Sequence, residues 1–360
     1  MKHWLPILLL IVALAPHTSA QGDPLPANVI LFTALCESGQ THVFFITPDG
    51  QEVHEWTTYN ALSPRWTAGG ERVTLLAYDG SLWGVYNVDT SGSGYQVPML
   101  EGDNYWLADL YSDFVWSPDS AYIAYVREPR LWVIDSSGVE LAPPVPASRV
   151  GRGLSWSPDS RQLAFVGEDG QIHALDLDNS ASSLTDDLLM GNNPAWSPDG
   201  RFIAFSAYTD GELTETSRTE LYVIALEDGE RRLVSDDLRL AVEGIQWSPD
   251  SQQIAFEAYT PSGDGTDVYV VSRDGSDLTR LTDSDGYYRN PSWSPDSKQL
   301  VFTYQPGDNS AQPALAVVNA NGTDFYRLTD GGAWVDEPQW RPTAAGVSAE
   351  PPAEPVSVHC

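Results

Sequence analysis

Basic residues are scarce in this sequence. Its 360 residues include 19 Lys and Arg against 50 Asp and Glu, which gives a formal net charge of −31 at pH 7. Such a charge repels phosphate backbones and anionic lipid, so it excludes nucleic-acid or membrane binding through bulk electrostatics. The balance fits cationic partners, bound cations or a soluble exported protein, and we adopt the last interpretation.

Cysteine is nearly absent, since Cys36 and Cys360 are the only two. Two cysteines cannot form the framework of a disulfide-rich fold. Export would permit one disulfide, and the sequence leaves open whether the two cysteines pair or remain free thiols.

Long hydrophobic runs are missing beyond the amino terminus. Residues 5–15 form an apolar stretch of 11 residues behind Lys2, and a run of small residues ends at Ala20. A membrane span needs ~20 apolar residues, so this arrangement predicts a signal peptide over 1–20, cleaved before Gln21. No cysteine for lipid attachment follows. We expect an exported protein, periplasmic or extracellular, with a short leader over 21–27 and no membrane insertion.

What the sequence does contain is a repeat of Trp-Ser-Pro-Asp. Full copies begin at Trp116, Trp156, Trp196, Trp247 and Trp293, and degenerate copies begin at Trp66 and Trp340. The successive tryptophans are 50, 40, 40, 51, 46 and 47 residues apart. A period in the forties with one tryptophan in each unit is typical of a β-propeller.

The best-preserved unit predicts four strands, at 193–196, 201–205, 221–226 and 231–234, with a Ser-Pro-Asp-Gly turn at 197–200. In the second strand, Phe-Ile-Ala-Phe at 202–205, both faces are apolar. A strand that lies between two neighbouring sheets requires this pattern. In other copies serine replaces the glycine that ends the turn, which a type I turn tolerates. These serines are Ser120, Ser160, Ser251 and Ser297.

Seven repeat tryptophans predict an all-β fold, a single seven-bladed β-propeller of four-stranded antiparallel blades, with six blades as the alternative count. The propeller would span 28–342, or 315 residues and 45 per blade. The amino terminus has three strands without a first strand, so we expect the strand around Trp340 to pair with them and close the ring. Residues 343–360 are rich in proline and alanine and predict a flexible tail.

The unit Trp-Ser-Pro-Asp-Gly-x-x-Ile-Ala-Phe, followed by Leu-Tyr-Val and Arg-Leu-Thr-Asp, resembles the WD40-like repeat of TolB-type β-propellers. The resemblance covers about residues 28–342 and implies the fold, but the repeat serves many unrelated roles. The small α/β domain of TolB has no counterpart here. Peptidase relatives carry an α/β-hydrolase domain, and this sequence has no Gly-x-Ser-x-Gly motif.

Oligogalacturonate lyases are similar seven-bladed propellers that hold a metal with several histidines. Histidines after the predicted signal peptide are few and scattered, namely His42, His54, His173 and His359. No Ser/His/Asp set, Cys/His metal spacing or phosphate loop can be assembled from the sequence. We interpret the repeated tryptophans as structural, with indoles packed between blades. They are Trp116, Trp156, Trp196, Trp247, Trp293 and Trp340.

Function is therefore sought where the blades differ. In a four-stranded meander, loops joining strands two and three lie on the same face as loops joining blades, and the long loops here are of these two kinds. Loop aromatics are typical of surfaces that contact proteins or sugars, although they can also pack locally. The candidate ligand-face residues are Tyr105, Trp106, Tyr208, Tyr259, Tyr287, Tyr288, Tyr304 and Trp334.

A second candidate site is the mouth of the central channel. Small, polar or acidic residues stand three positions before each repeat tryptophan, and Asp113, Asn193, Asn290 and Glu337 are the polar candidates. Such a ring suits ordered water, a cation such as Ca²⁺, or an extended segment of a partner. No cofactor is required by any motif.

These observations favour an exported, monomeric, non-catalytic propeller that binds a protein, peptide or glycan through its loop-rich face. One alternative is a propeller enzyme, either a polysaccharide lyase or a metal-dependent hydrolase, with its site at the channel. Another is a TolB-like component of envelope assembly.

Overall fold

The structure is a computed structural model that describes most of the chain after residue 27. The described residues are 28–67, 69–78, 83–91, 94–96, 114–127, 129–141, 144–147, 153–177, 180–187, 190–208, 219–235, 244–259, 265–282, 286–308, 311–342 and 351–359. The predicted signal peptide over 1–20 and the leader over 21–27 lie outside them. Regular structure in the described ranges consists of 28 β-strands. These ranges contain no helix that could cross a membrane.

The strands form seven four-stranded antiparallel units. Unit A contains β1 (Ile30–Leu35), β2 (Thr41–Ile46), β3 (Val53–Glu55) and β28 (Trp334–Trp340). Unit B contains β4 (Ala61–Trp66), β5 (Arg72–Tyr78), β6 (Trp83–Asp89) and β7 (Gly94–Gln96). Unit C contains β8 (Phe114–Trp116), β9 (Tyr122–Val126), β10 (Arg130–Asp135) and β11 (Val145–Pro146). Unit D contains β12 (Ser155–Trp156), β13 (Gln162–Val166), β14 (Ile172–Asp176) and β15 (Ser180–Ser183).

The remaining three units follow in the same order. Unit E contains β16 (Met190–Trp196), β17 (Phe202–Tyr208), β18 (Thr219–Ala225) and β19 (Arg231–Ser235). Unit F contains β20 (Gln246–Trp247), β21 (Gln253–Tyr259), β22 (Thr266–Ser272) and β23 (Thr279–Arg280). Unit G contains β24 (Gly286–Trp293), β25 (Gln299–Pro306), β26 (Ala314–Asn319) and β27 (Tyr326–Arg327). A single parallel pair, Thr266 with Tyr287, joins units F and G into one sheet.

Unit A confirms the predicted closure. The last strand, β28, pairs antiparallel with β1, so that Ile30 faces Trp340 and Leu35 faces Trp334. Both ends of the chain therefore share one sheet, in which β1 is paired on both sides, with β28 and with β2. The all-β propeller arrangement follows from this closure together with the other six units.

The apolar second strands lie between neighbouring units, as their composition requires. In β17, Ile203 and Phe205 pack in one cluster with Trp196 of their own unit. Ala204, between them, packs in another cluster with Trp247 of the next unit. All three residues of β17 are fully buried. Opposite faces of one strand thus fill two different inter-unit cores, which leaves no face for polar residues.

The residue that ends the turn after each repeat tryptophan has a positive φ. The prediction that a type I turn tolerates serine here did not include this requirement. The four serines that end these turns adopt φ values of 59° to 61°, in the left-handed region, and Gly200 has φ 75°. The serine hydroxyl compensates in three turns by accepting a backbone N–H from the turn of the preceding unit. These donors are Asp119 to Ser160 at 3.0 Å, Asp199 to Ser251 at 3.0 Å and Asp250 to Ser297 at 3.2 Å.

The carboxy-terminal segment corrects the prediction of a flexible tail for residues 351–359. The Val356 amide donates to Leu328 O at 3.0 Å, and Val356 O accepts from the Asp330 amide at 3.1 Å. Val358 is 2% exposed and packs in the core shared by units A and G. Backbone pairing, the buried Val358 and the half-buried Val356 hold the segment along this junction, and composition alone did not reveal them. Residues 343–350 lie outside the described ranges.

Candidate functional site

The loop face is the side of the propeller that carries the loops between second and third strands and the loops between units. Exposed apolar side chains lie at strand ends on this face. Trp334 begins β28 and Leu35 ends β1, and the two are paired in register with exposures of 41% and 44%. Tyr78 and Tyr259 end the second strands β5 and β21 and are also exposed.

A cavity of about 280 Å³ opens beside Trp334. Its walls come from the hairpin after β1, the loop between β25 and β26, the loop before β28, and the carboxy-terminal segment. The lining residues are Leu35, Cys36, Glu37, Gln312, Gly332, Ala333, Trp334, Val358 and His359. The cavity therefore combines an indole with carboxylate, amide and imidazole groups, a mixture that suits a ligand with both apolar and hydrogen-bonding surfaces.

The structure separates the predicted ligand-face residues into two groups. Tyr259 and Trp334 are exposed, and Tyr208 and Tyr287 are half-buried. Tyr288 and Tyr304, by contrast, stack at 4.9 Å between ring centroids inside the core of unit G.

The prediction is wrong for Tyr288 and Tyr304, because their strands turn these side chains inward. Tyr288 is only 2% exposed, and the Arg327 guanidinium covers the Tyr304 ring at 4.8 Å. Tyr105 and Trp106 lie outside the described residues.

Sequence reasoning missed most of the cavity wall. Glu37 and Gln312 occupy short loops without a motif, and His359 belongs to a segment predicted to be flexible. One signal was available, since the only other cysteine besides Cys36 is the last residue of the chain. Cys36 is disulfide-bonded, and Cys360, the only other cysteine in the sequence, lies outside the described residues.

The channel-mouth positions share a backbone conformation. Each described residue three positions before a repeat tryptophan has positive φ, from 48° to 109°. They are Ser63, Gly153, Asn193, Gly244, Asn290 and Glu337. In units A, B, E and G the ladder also shifts register at this point, as in a β-bulge. Asp113 lies outside the described residues.

Glycine and asparagine are the residues that adopt this conformation most readily, which explains their presence without any ligand. Ser63 and Glu337 are the departures, and they interact with each other. The Ser63 amide donates to Glu337 Oε2 at 3.1 Å, and the Ser63 hydroxyl lies 3.5 Å from Oε1.

A polar chain of contacts, the mouth network, runs through four consecutive units. Glu257 of unit F accepts the Asn290 amide at 2.7 Å. The Asn290 side chain of unit G donates to Asp336 Oδ1 of unit A at 2.9 Å, and Asp336 Oδ1 also accepts the Glu337 amide at 2.8 Å. Glu337 then contacts Ser63 of unit B. Three carboxylates are thus held in fixed positions by neighbouring donors.

Burial raises the pKa of the Glu337 carboxyl above its ordinary value. The neighbouring Asp336 charge raises it further, while Arg65 and the hydrogen bonds from Ser63 act in the opposite direction. The Arg65 guanidinium is 4.0 Å from Glu337 Oε1. A carboxyl with a raised pKa keeps its proton to higher pH than an ordinary glutamic acid, which is one property that a general acid needs.

The described histidines lie away from the mouth network. His42 is on β2, His54 on β3 and His173 on β14, while His359 lies in the carboxy-terminal segment. None of these is an innermost strand. The metal centre that the lyase resemblance would imply, with several histidines, has no counterpart among the described residues at the channel mouth.

The repeat tryptophans connect neighbouring units. Four indoles donate to a backbone carbonyl on the innermost strand of the preceding unit, at distances from 2.9 to 3.2 Å. The pairs are Trp156 to Val115, Trp247 to Ala195, Trp293 to Gln246 and Trp66 to Gln339. Trp340 donates to the Asn28 side chain at 2.7 Å. The indoles of Trp116 and Trp196 have no acceptor among the described residues.

The comparisons with known proteins give the same architecture. A family model for the TolB beta propeller domain matches residues 193–348. A stretch of 66 residues is 32% identical to the uncharacterized peptidase YuxL of Bacillus subtilis, and it covers 18% of this chain and 10% of that protein. The match thus spans only about a tenth of the length of that relative.

Two solved structures resemble nearly the whole chain. TolB from Acinetobacter baumannii matches with a TM-score of 0.54 and 16% identity, over 89% of this chain and 67% of its own. An oligogalacturonate lyase from Vibrio parahaemolyticus matches with a TM-score of 0.56 and 13% identity, over 86% of each chain. At such identities the likeness shows the fold alone. The closed arrangement of four-stranded units, the repeat and the matching family model together identify the fold of this chain as a TolB-type β-propeller.

Proposed function

We propose that this propeller is a non-catalytic binding protein that takes a protein, peptide or glycan on its loop face. The observation that carries the proposal is the cavity beside Trp334, which places an exposed indole next to three polar side chains. Binding energy at interfaces is concentrated in such aromatic anchors, surrounded by groups that fix orientation.

The size of the cavity limits what enters it. A volume of about 280 Å³ is at the small end of ligand pockets, which typically measure ~300–1,000 Å³. It has room for one large side chain or one sugar ring rather than a whole ligand. We infer that the cavity anchors one group of a ligand that extends over the loop face towards Tyr259.

The test compares two exposed aromatic side chains on opposite faces. Glycan and peptide arrays, with and without Ca²⁺, first supply a ligand for the mature protein. Calorimetry then measures its affinity for Trp334→Ala and for the control Phe325→Ala, whose ring is 44% exposed between β26 and β27 on the other face. Loss of an anchor costs ~2 kcal/mol or more, so we expect about 30-fold weaker binding for Trp334→Ala and unchanged binding for Phe325→Ala. Equal affinities would place the ligand elsewhere.

We also propose that the protein is exported through a cleaved signal peptide. The charged start, apolar stretch and small residues of 1–20 support cleavage after Ala20, and the excess of acidic residues suits an exported soluble protein. Mass spectrometry of the secreted protein should find Gln21 as its first residue. An intact amino terminus would contradict export by this route.

An enzyme at the channel mouth is the second candidate, and the raised pKa of Glu337 is the observation in its favour. Against it, both Glu337 oxygens already contact Ser63, and the described histidines lie elsewhere. Turnover of oligogalacturonides, measured with and without Mn²⁺, tests this candidate. Activity that Glu337→Gln abolishes would establish the enzyme, and its absence would leave the binding function.

A further inference from the structure

We propose that the cavity beside Trp334 selects an arginine side chain of a polypeptide ligand. This preference rests on the binding function proposed above and names the chemical group that the cavity takes. Three features carry it, namely an exposed indole, a carboxylate without an ion-pair partner, and the lack of Lys and Arg among the described residues that line the cavity. Together they favour a ligand with a positive charge.

The indole is placed to receive a cation. Trp334 begins β28, where backbone pairing with Leu35 of β1 fixes its position, and 41% of the residue is exposed. Within the described part of the chain the ring contacts neither another aromatic ring nor an arginine. Tryptophan binds cations better than the other aromatic residues do, and a planar guanidinium stacks on its ring.

Two carboxylates make the surroundings of the cavity negative. Glu37 lines the cavity from the hairpin after β1, is exposed, and forms no ion pair with any described residue. Asp330 lies beside the wall, because its Oδ1 accepts the amide of the lining residue Gly332 at 2.8 Å. The whole chain carries a formal net charge of −31, so no excess of basic residues offsets these carboxylates. The cavity therefore attracts cations and repels anionic ligands.

The walls suit a long side chain with a charged end. Leu35 and Val358 supply apolar surface for methylene groups, and the Gln312 amide offers an oxygen acceptor beyond them. The guanidinium of arginine presents five N–H donors in a planar fork, which Glu37 and Gln312 can accept. A neutral sugar ring can also stack on an indole and bond a carboxylate, so charge is the property that separates the two kinds of ligand.

The experiment compares probes that differ in charge alone. Two blocked pentapeptides, Gly-Ser-X-Ser-Gly, carry arginine or citrulline at X, since citrulline has nearly the shape of arginine without its charge. We expect calorimetry at low ionic strength to show the arginine peptide bound to wild-type protein about 5- to 30-fold more tightly than the citrulline peptide. Added salt should reduce this ratio, because it screens exposed charges.

Matched carboxylate variants assign the preference to the cavity. Glu37→Gln should reduce the ratio to about 3-fold or less and leave the affinity for the citrulline peptide unchanged. Glu52→Gln is the control, because it removes the same charge from an exposed position in the same unit, between β2 and β3 on the other face. It should keep the full ratio. Trp334→Ala should weaken the binding of both peptides.

The possible outcomes separate the arginine preference from the binding function. The preference is overturned if the citrulline peptide binds wild type as tightly as the arginine peptide, if Glu37→Gln keeps the full ratio, or if no arginine peptide binds at millimolar concentration. A neutral glycan that binds in place of the arginine peptide, and that Trp334→Ala weakens, would overturn the preference and leave the binding function standing. If Trp334→Ala weakens no probe at all, both fail.

Discussion

At the scale of single residues, backbone conformation explains why equivalent positions in different copies of the repeat carry similar residue types. Positive φ occurs in two rings, one at the channel mouth and one at the turns after the repeat tryptophans. Residues without a Cβ, or with a short polar side chain, are favoured there. A polar ring read from sequence is therefore a weak sign of ligand binding, because conformation alone selects the same residues.

Ser160 allows this conformational reasoning to be tested. Ser160→Ala removes the acceptor of the Asp119 amide and keeps a Cβ at φ 61°, so we expect a loss of ~1–2 kcal/mol in the free energy of unfolding. Ser160→Gly loses the same bond but relieves the strain, so its loss should stay below ~1 kcal/mol. Urea denaturation of both variants decides the matter. If glycine is as destabilising as alanine, left-handed strain contributes nothing at this turn.

Glu337 gives a prediction about pH. Its folded pKa is raised, so the folded protein holds the proton more tightly than the unfolded chain, and stability falls as pH rises from the ordinary pKa through the folded one. Glu337→Gln has no such dependence. We therefore expect the unfolding free energy of Glu337→Gln minus that of wild type to increase from about pH 4 to pH 7. A difference that decreases over this range would mean that Arg65 and Ser63 outweigh burial.

At the scale of elements, the repeat tryptophan works as a connector as well as a core residue. Its ring fills the space between two units, and in most copies its Nε1 donates to the first strand of the preceding unit. The same sequence position therefore contributes differently from unit to unit. The repeat has the same sequence in these copies, so the sequence does not reveal which indoles have a hydrogen-bond acceptor.

A comparison of two tryptophans with nearly equal burial isolates the contribution of the indole hydrogen bond to the free energy of unfolding. Trp247 donates to Ala195 O at 2.9 Å, whereas Trp196 has no acceptor among the described residues. Both are almost fully buried. Trp247→Phe should therefore destabilise the protein by ~1 kcal/mol more than Trp196→Phe, since only the former breaks a bond. Thermal and urea denaturation provide the comparison, and equal losses would show that packing accounts for the whole effect.

At the scale of the whole molecule, the junction of units A and G holds the propeller together. β28 pairs with β1 there, and the segment 351–359 runs along the same junction from Gly50 to the cavity. One core cluster contains Phe32 of unit A, Val317 of unit G and Val358 of the segment. Cys36, which is disulfide-bonded, belongs to the same core cluster.

Loss of that covalent link should lower stability. A disulfide between residues 36 and 360 encloses most of the chain, and removal of a native disulfide typically costs roughly 2–5 kcal/mol. We expect Cys360→Ser to unfold at lower urea concentration, and Cys36→Ser to behave alike. His359→Ala, which leaves the disulfide intact, serves as the control. An unchanged transition in both cysteine variants would mean that strand pairing alone secures the junction.

The sequence by itself determined the architecture. Tryptophan spacing, the Ser-Pro-Asp turn and the two apolar faces of the second strands are local signals that recur in copy after copy, so they identified the strands, the repeat and the pairing of the two chain ends. Trp334 was also predicted on the loop face from loop length alone.

Only the tertiary structure decided which residues meet. Tyr288 and Tyr304 are aromatic and near loops, yet side-chain direction places them in the core. Val356 of the carboxy-terminal segment bonds to Leu328 and lies against Gly50, and both partners are distant in the sequence. No local pattern encodes contacts of this kind, because they depend on how complete sheets pack against each other.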